Sequence, residues 1–339
     1  MTWGHLSKYR SELMGIACLW IMLYHNRVNW PDALEPVRRF VDYVNLGVEI
    51  FLLLSGISMY FSWQKQPPLG EFYRRRLVRL AVPYVLLALP YWVWRDLYEG
   101  IGDFWLNLTQ LSLPLQGIIP TWYIPAAAVL YLCYPLIVRW IFAGNCRLRT
   151  SVLCSILVAG CAGLHYSGST IYQNCEIALT RSVIFVIGCC LGRTVYENRP
   201  MSRRALPLSL VWLLVNSLLR QSLRLERVWR RFSYVPLCLA VCVVLVYLLE
   251  KFQTRNSLRR FLRFFGKHSL EMYLTHMLLR NVVYHYIPAT CLDPWGFVSY
   301  GLILAAAVAL STLLHPLMER LCGMLLGVSR KEKPCAGIY

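Results

Sequence analysis

The chain has 339 residues, is 57% hydrophobic and only 15% charged, with a mean hydropathy of +0.47. A soluble domain averages about 45–50% apolar and about 25% charged residues, so a chain of this make-up belongs largely in a bilayer. The net charge of +18 does not indicate a nucleic-acid partner, because the basic residues sit in short clusters between apolar runs and no recognition motif accompanies them.

A spanning helix needs about 20 mostly apolar residues. Ten segments meet that need, near 9–28, 44–64, 77–98, 120–142, 150–168, 177–196, 205–220, 232–251, 268–287 and 296–324. They predict an all-α, polytopic membrane protein forming one transmembrane domain over residues 1–339. No small-residue cleavage site follows the first run, so no cleaved signal peptide is expected. The thirteen cysteines lie mostly inside apolar runs without CxxC spacing. They read as small packing residues rather than a disulfide framework or a metal site.

The first run, "SELMGIACLWIMLYHN", ends on His25. On a helix advancing about 100° per residue, Ser11, Met14 and Cys18 fall within about 40° of His25, and Arg10 lies about 60° away. An ionisable residue within the membrane is costly to keep and points to function, although a lone histidine at a helix end also serves as an interfacial residue. The second run, "NLGVEIFLLLSGISMYF", places Glu49 among apolar residues and carries Ser55-Gly56. A carboxylate there either sits hydrated at the helix mouth or orients His25 or a substrate hydroxyl.

The third run begins "FYRRRLVRLAVPYVL". Arg76 and Arg79 are one turn apart and share a face. They are either part of an ordinary cytoplasmic basic cluster or a pair of planar forks for phosphate oxygens. Pro83 and Pro90 are expected to interrupt this run. The stretch 99–119 is too broken to span and reads as a surface or re-entrant segment. Trp122 and Tyr123 open the fourth run as interfacial anchors or as a stacking surface for a sugar. In the ninth run Glu271, Tyr273 and His276 share a helix face. His276 is the second intramembrane histidine, and interhelical hydrogen bonding is its plainer role. His165 and His315 are read as structural.

Orientation follows from Lys and Arg in the loops. With the N-terminus cytoplasmic, 24 of them lie inside and nine outside, which predicts that both termini are cytoplasmic. The stretch "RQSLRLERVWRR" opposes that bias. It is either an external basic patch for an anionic partner or a sign that the seventh run is misplaced.

Taken in order, these pieces resemble the membrane-bound acyltransferase family 3, which acylates cell-surface and secreted carbohydrates in bacteria. His25 matches the histidine of that family's opening motif, a basic residue, ten residues, then the catalytic His. "GVEIFLLLSG" is similar to its second-helix signature, with Glu49 at the acidic position, and "RLVRLAVPY" to its Arg-x-x-Arg motif, with Arg76 and Arg79. "TWYIPAAAVLYLCYPLI" and "SLEMYLTH", ending at His276, resemble further stretches of the family. The likeness covers nearly the whole chain, with one departure: Met14 occupies the position of the motif's basic residue, and Arg10 stands one turn earlier.

The resemblance implies an integral membrane O-acyltransferase of the cell membrane. No bound cofactor is implied. Acyl-coenzyme A, most often acetyl-coenzyme A, is the donor substrate, and a carbohydrate or glycolipid of the cell envelope, such as an exopolysaccharide, the acceptor. His25 would be the general base, oriented by Glu49, and Arg76 and Arg79 would hold donor phosphates. Arg10, Ser55, Trp122, Tyr123 and His276 are candidate substrate contacts. No GxSxG elbow or metal-ligand spacing suggests another chemistry. The rival readings are a transporter or flippase, whose mark would be matched halves with broken helices, and an inactive family member, suggested by Met14.

Overall fold

The computed structural model describes residues 1–26, 34–99, 103–117, 119–222, 226–252, 256–287 and 296–327. The described residues fold as helices. In chain order these are α1 (His5–Lys8), α2 (Arg10–Asn26), α3 (Glu35–Tyr43), α4 (Gly47–Trp63), α5 (Leu69–Glu99), α6 (Phe104–Leu108), α7 (Ser112–Gln116), α8 (Tyr123–Phe142), α9 (Cys146–Tyr166), α10 (Thr170–Leu179), α11 (Ser182–Tyr196), α12 (Ala205–Ser222), α13 (Arg227–Phe232), α14 (Tyr234–Lys251), α15 (Asn256–Lys267), α16 (Ser269–Tyr286) and α17 (Phe297–Leu326). A short 3-10 turn, Val44–Leu46, joins α3 to α4. Where described, each of the ten runs is mainly helical; residues 27–28 of the first lie outside the described residues.

Local chemistry sets several boundaries. The Asn145 side chain accepts from the backbone N–H groups of Arg147 and Leu148 and starts α9. Ser169 does the same for α10 through Tyr172, as a capping residue should. Gly327, at φ 68°, ends α17 in the left-handed conformation that glycine adopts at least cost. Pro83 and Pro90 do not interrupt α5, which is continuous through both. A proline inside a membrane helix frees one carbonyl that neighbouring groups can satisfy, so a kink need not become a break. The stretch 99–119, where described, forms the two short helices α6 and α7.

Among the described residues, seven helical segments are long and apolar enough to cross a membrane: Val41–Trp63, Leu69–Asp96, Tyr123–Phe142, Cys146–Tyr166, Thr170–Tyr196, Arg227–Lys251 and Phe297–Leu326. The remaining three runs are α2, α12 and α16. Helix α2 has 17 residues, and α16 carries Glu271, His276 and Arg280. Their lower apolarity has a structural reason, since α2 and α16 pack inside the bundle against α4, α5, α15 and α17 and their polar side chains face protein rather than lipid. Large apolar side chains on α9, α12 and α17 point outward, among them Ile156, Leu214 and Leu313. On a soluble monomer such surface would be a liability, but here it is the lipid-facing wall.

Small residues let the central helices approach closely. A Cβ on Gly56 of α4 would lie 2.6 Å from the Phe185 carbonyl oxygen, and one on Gly188 of α11 would lie 2.5 Å from that of Leu53. Beside α2, Gly15 and Gly266 face each other in the same way across the contact with α15. Helices α2 and α4, which carry His25 and Glu49, are thereby held rigidly from both sides. The described cysteines are free thiols.

Candidate active site

A cavity opens between α2, α4, α5, α8 and α16. Its walls are apolar and aromatic: Met14, Ile21, Val48, Phe51, Leu80, Trp122, Tyr123, Tyr131, Leu270 and Tyr273. Arg76, Arg79 and Lys267 line the same cavity. Arg76 is buried and donates to the Ser62 hydroxyl. The Arg10 side chain is also buried, and it feels the charges of both Arg76 and Arg79 and the phenols of Tyr123 and Tyr131. Like charges gathered at one apolar cavity call for an anion. Met14 lines the cavity wall one turn above Arg10. A long helical side chain leans toward its own N-terminus. The basic face thus sits at the foot of α2, opposite His25.

The histidines meet. His25 Nδ1 lies 3.0 Å from His276 Nε2, with ring centroids 5.1 Å apart. His276 Nδ1 lies 2.6 Å from the Met272 carbonyl oxygen. A carbonyl only accepts, so Nδ1 of His276 carries a proton and donates it there. In the neutral ring Nε2 is then the acceptor, and His25 Nδ1–H donates to it. The chain of donors fixes the His25 tautomer with its lone pair on Nε2, the form a proton acceptor needs. His276 is fully buried and His25 half-buried.

Glu49 does not orient His25. Both Glu49 and Arg181 are only 2% exposed, and Glu49 Oε1 lies 2.9 Å from Arg181 Nε. Arg181 stands at the junction of α10, which ends at Leu179, and α11, which starts at Ser182, where Thr180 and Arg181 keep right-handed helical backbone angles. Its side chain turns into the bundle, where it also donates to the Asn45 side chain and lies over the Trp122 ring at 5.4 Å. Glu49 therefore acts on the cavity wall through Arg181 and Trp122. Ser55 lines the cavity beside Tyr123. Tyr123 packs edge-on against Tyr273 at 5.7 Å, whose hydroxyl donates to the Pro120 carbonyl.

Further along α5 and α16 a second, more polar pocket opens. Tyr91, Trp94, Arg95, Asn107, Gln116, Ile119, Pro120, Asn281, Tyr284 and His285 line it, and Asn281 donates to the Tyr91 hydroxyl. Arg76 and Tyr91 are about 22 Å apart along α5 at 1.5 Å per residue. On α16, Leu270 and Tyr273 face the first cavity and Asn281 and Tyr284 the second, so His276 stands between them. The second pocket, Lys267 and Arg181 are site features that reading the sequence missed. Trp94 and Arg95 did lie together at the end of a proline-bearing run, which was the one available signal. Of the disputed basic stretch, Arg227 and Arg231 are bound to Glu176 at 3.1 and 3.7 Å, and residues 223–225 lie outside the described segments.

An all-α, multi-pass membrane protein with a half-buried histidine paired to a buried one between two cavities defines the class. The acyltransferase domain that characterises acyltransferase family 3 matches residues 13–315, nearly the whole chain. The chain belongs to that family and is an acyltransferase. No curated protein and no solved structure matches it.

Proposed function

We propose that this protein moves an acyl group, acetyl foremost, from acyl-coenzyme A to a hydroxyl of a cell-surface or exported carbohydrate. The observation that carries the reading is the order of features along α5 and α16: a basic cavity, the His25–His276 pair, then a polar aromatic pocket. The basic cavity suits the phosphates of a coenzyme A thioester, and its apolar aromatic wall suits the chain leading to the sulfur. The second pocket joins aromatic rings to amides and an arginine, a combination that suits a sugar by stacking and hydrogen bonding. The termini are read as cytoplasmic and the membrane as the cell membrane, so the donor arrives from the cytosol and the acceptor from the other face.

In this reading the acceptor hydroxyl approaches Nε2 of His25. The ring takes the proton as the oxygen attacks the thioester carbonyl. The carbon–sulfur bond then breaks, the thiolate leaves, and the imidazolium returns the proton to it. His276 holds the tautomer throughout, the duty a carboxylate performs in other triads. Arg10, Arg76, Arg79 and Lys267 bind the donor. Ser55, Trp122 and Tyr123 shape its path.

The test is transfer by purified protein in detergent. Radiolabelled acetyl-coenzyme A and total envelope glycan should give labelled glycan and coenzyme A in equal amounts. Release of coenzyme A with no labelled glycan would leave the protein a thioesterase and overturn the acceptor. Neither product would favour a transport or binding role.

A further inference from the structure

We propose that His268, Glu271 and His315 form a binding site for one divalent first-row transition-metal ion of the zinc class, at the foot of α16. The proposal does not rest on the acyltransferase reading. The three side chains come from two places in the chain: His268 and Glu271 one turn apart at the start of α16, and His315 from the middle of α17. Their ligand atoms all lie within 4.8 Å of one another. His315 Nδ1 is 3.0 Å from Glu271 Oε1. The His268 and His315 rings meet edge-on, with centroids 4.4 Å apart. All three residues are buried, at 6%, 2% and 5% exposure.

The valences that remain point to a ligand. Among the described residues Glu271 Oε2, His268 Nδ1 and His315 Nε2 are buried with no hydrogen-bond partner. A buried polar atom left unsatisfied is costly, and here three are gathered in one spot. With neutral imidazoles the set carries one negative charge, which a divalent cation offsets. Two imidazole nitrogens and one carboxylate oxygen are the donor set favoured by zinc and its neighbours rather than by calcium or magnesium. Ligand atoms on a tetrahedral ion with bonds of about 2.0–2.1 Å stand about 3.3 Å apart. The set, whose ligand atoms lie within 4.8 Å of one another, would therefore draw in around an ion, and the Glu271–His315 hydrogen bond would give way to it.

Such an ion would tie α16 to α17 within a bundle whose helices gain little from hydrophobic contact with one another. Helix α16 carries Tyr273 and His276, so the tie would set the height of the histidine pair against the cavity. The competing account is an internal His315–Glu271 ion pair with His268 merely stacked beside it.

The experiment uses the full-length protein with a histidine-free tag, purified in detergent, stripped with chelator and titrated with Co²⁺ and then Zn²⁺. The expected result is about one ion per chain, with visible Co²⁺ absorption that Zn²⁺ displaces. His268→Gln breaks no protein hydrogen bond and should keep the fold, yet lower occupancy about tenfold or more, and Glu271→Gln and His315→Gln should do the same. His165→Gln serves as the unaffected control. Wild-type protein that takes up less than about a tenth of an ion per chain would overturn the site. So would wild-type occupancy in the well-folded His268→Gln variant, because the internal pair does not need that ring.

Discussion

Arg10 and Met14 trade places relative to the pattern the sequence resembles. Met14 contributes apolar wall to the cavity, while the buried Arg10 sits in the field of Arg76 and Arg79. If Arg10 supplies the charge that the motif places one turn later, Arg10→Ala should cut transfer about tenfold or more, the scale of one lost charge-assisted contact of about 1.5–3 kcal/mol. Met14→Arg should not activate, because a fifth cation would crowd Arg10, Arg76, Arg79 and Lys267 at an apolar cavity. Rates of both variants at saturating donor check this pair of expectations, and activation by Met14→Arg would show the charge to be missing rather than moved. His25 was legible from the sequence because an ionisable group closes an apolar run. Its partner was not, since His276 is 251 positions away and Glu49 offered a nearer carboxylate. What the sequence could not reveal is that Arg181, at the junction of α10 and α11, reaches Glu49 first.

At the scale of elements, the division of labour runs along α5 and α16. The cavity-facing turn of α5 carries Arg76 and Arg79, far from the His25–His276 pair. Groups that grip a substrate away from its reacting carbon change binding more than chemistry. Arg76→Ala and Arg79→Ala should therefore raise KM for the acyl donor about tenfold or more while leaving kcat within about threefold. A fall in kcat at unchanged KM would place these arginines in the chemistry or the fold instead. Arg76 and Arg79 could be read as a pair from their spacing alone. Lys267 could not be assigned to the same cavity, because the close Gly15–Gly266 contact that brings α15 to α2 depends on tertiary packing. The cluster at His268, Glu271 and His315 escaped for a like reason. His268 and Glu271 are only three residues apart, but the third member comes from α17, 44 positions beyond Glu271.

For the whole molecule, the apolar period and the run lengths were enough to foresee a helical membrane protein. They placed all ten helical runs but overstated how many are apolar throughout, because α2 and α16 spend their polar residues on the site. The count of basic residues predicts cytoplasmic termini. A reporter fused after Tyr339 should therefore read cytoplasmic, and an external reading would put the basic cavity on the wrong face for a cytosolic donor. The central claim is that His25 is the proton acceptor for acyl transfer, held in its tautomer by His276. It is tested most directly by transfer of a labelled acetyl group to envelope glycan with His25→Ala and His25→Gln protein that is inserted and monodisperse. Loss of a general base typically costs about 10² to 10⁴ in rate, and the amide of Gln hydrogen-bonds but cannot take the proton, so both variants should fall at least about a hundredfold. Retention of more than about a tenth of wild-type transfer by either would contradict the account and leave His25 an interfacial residue.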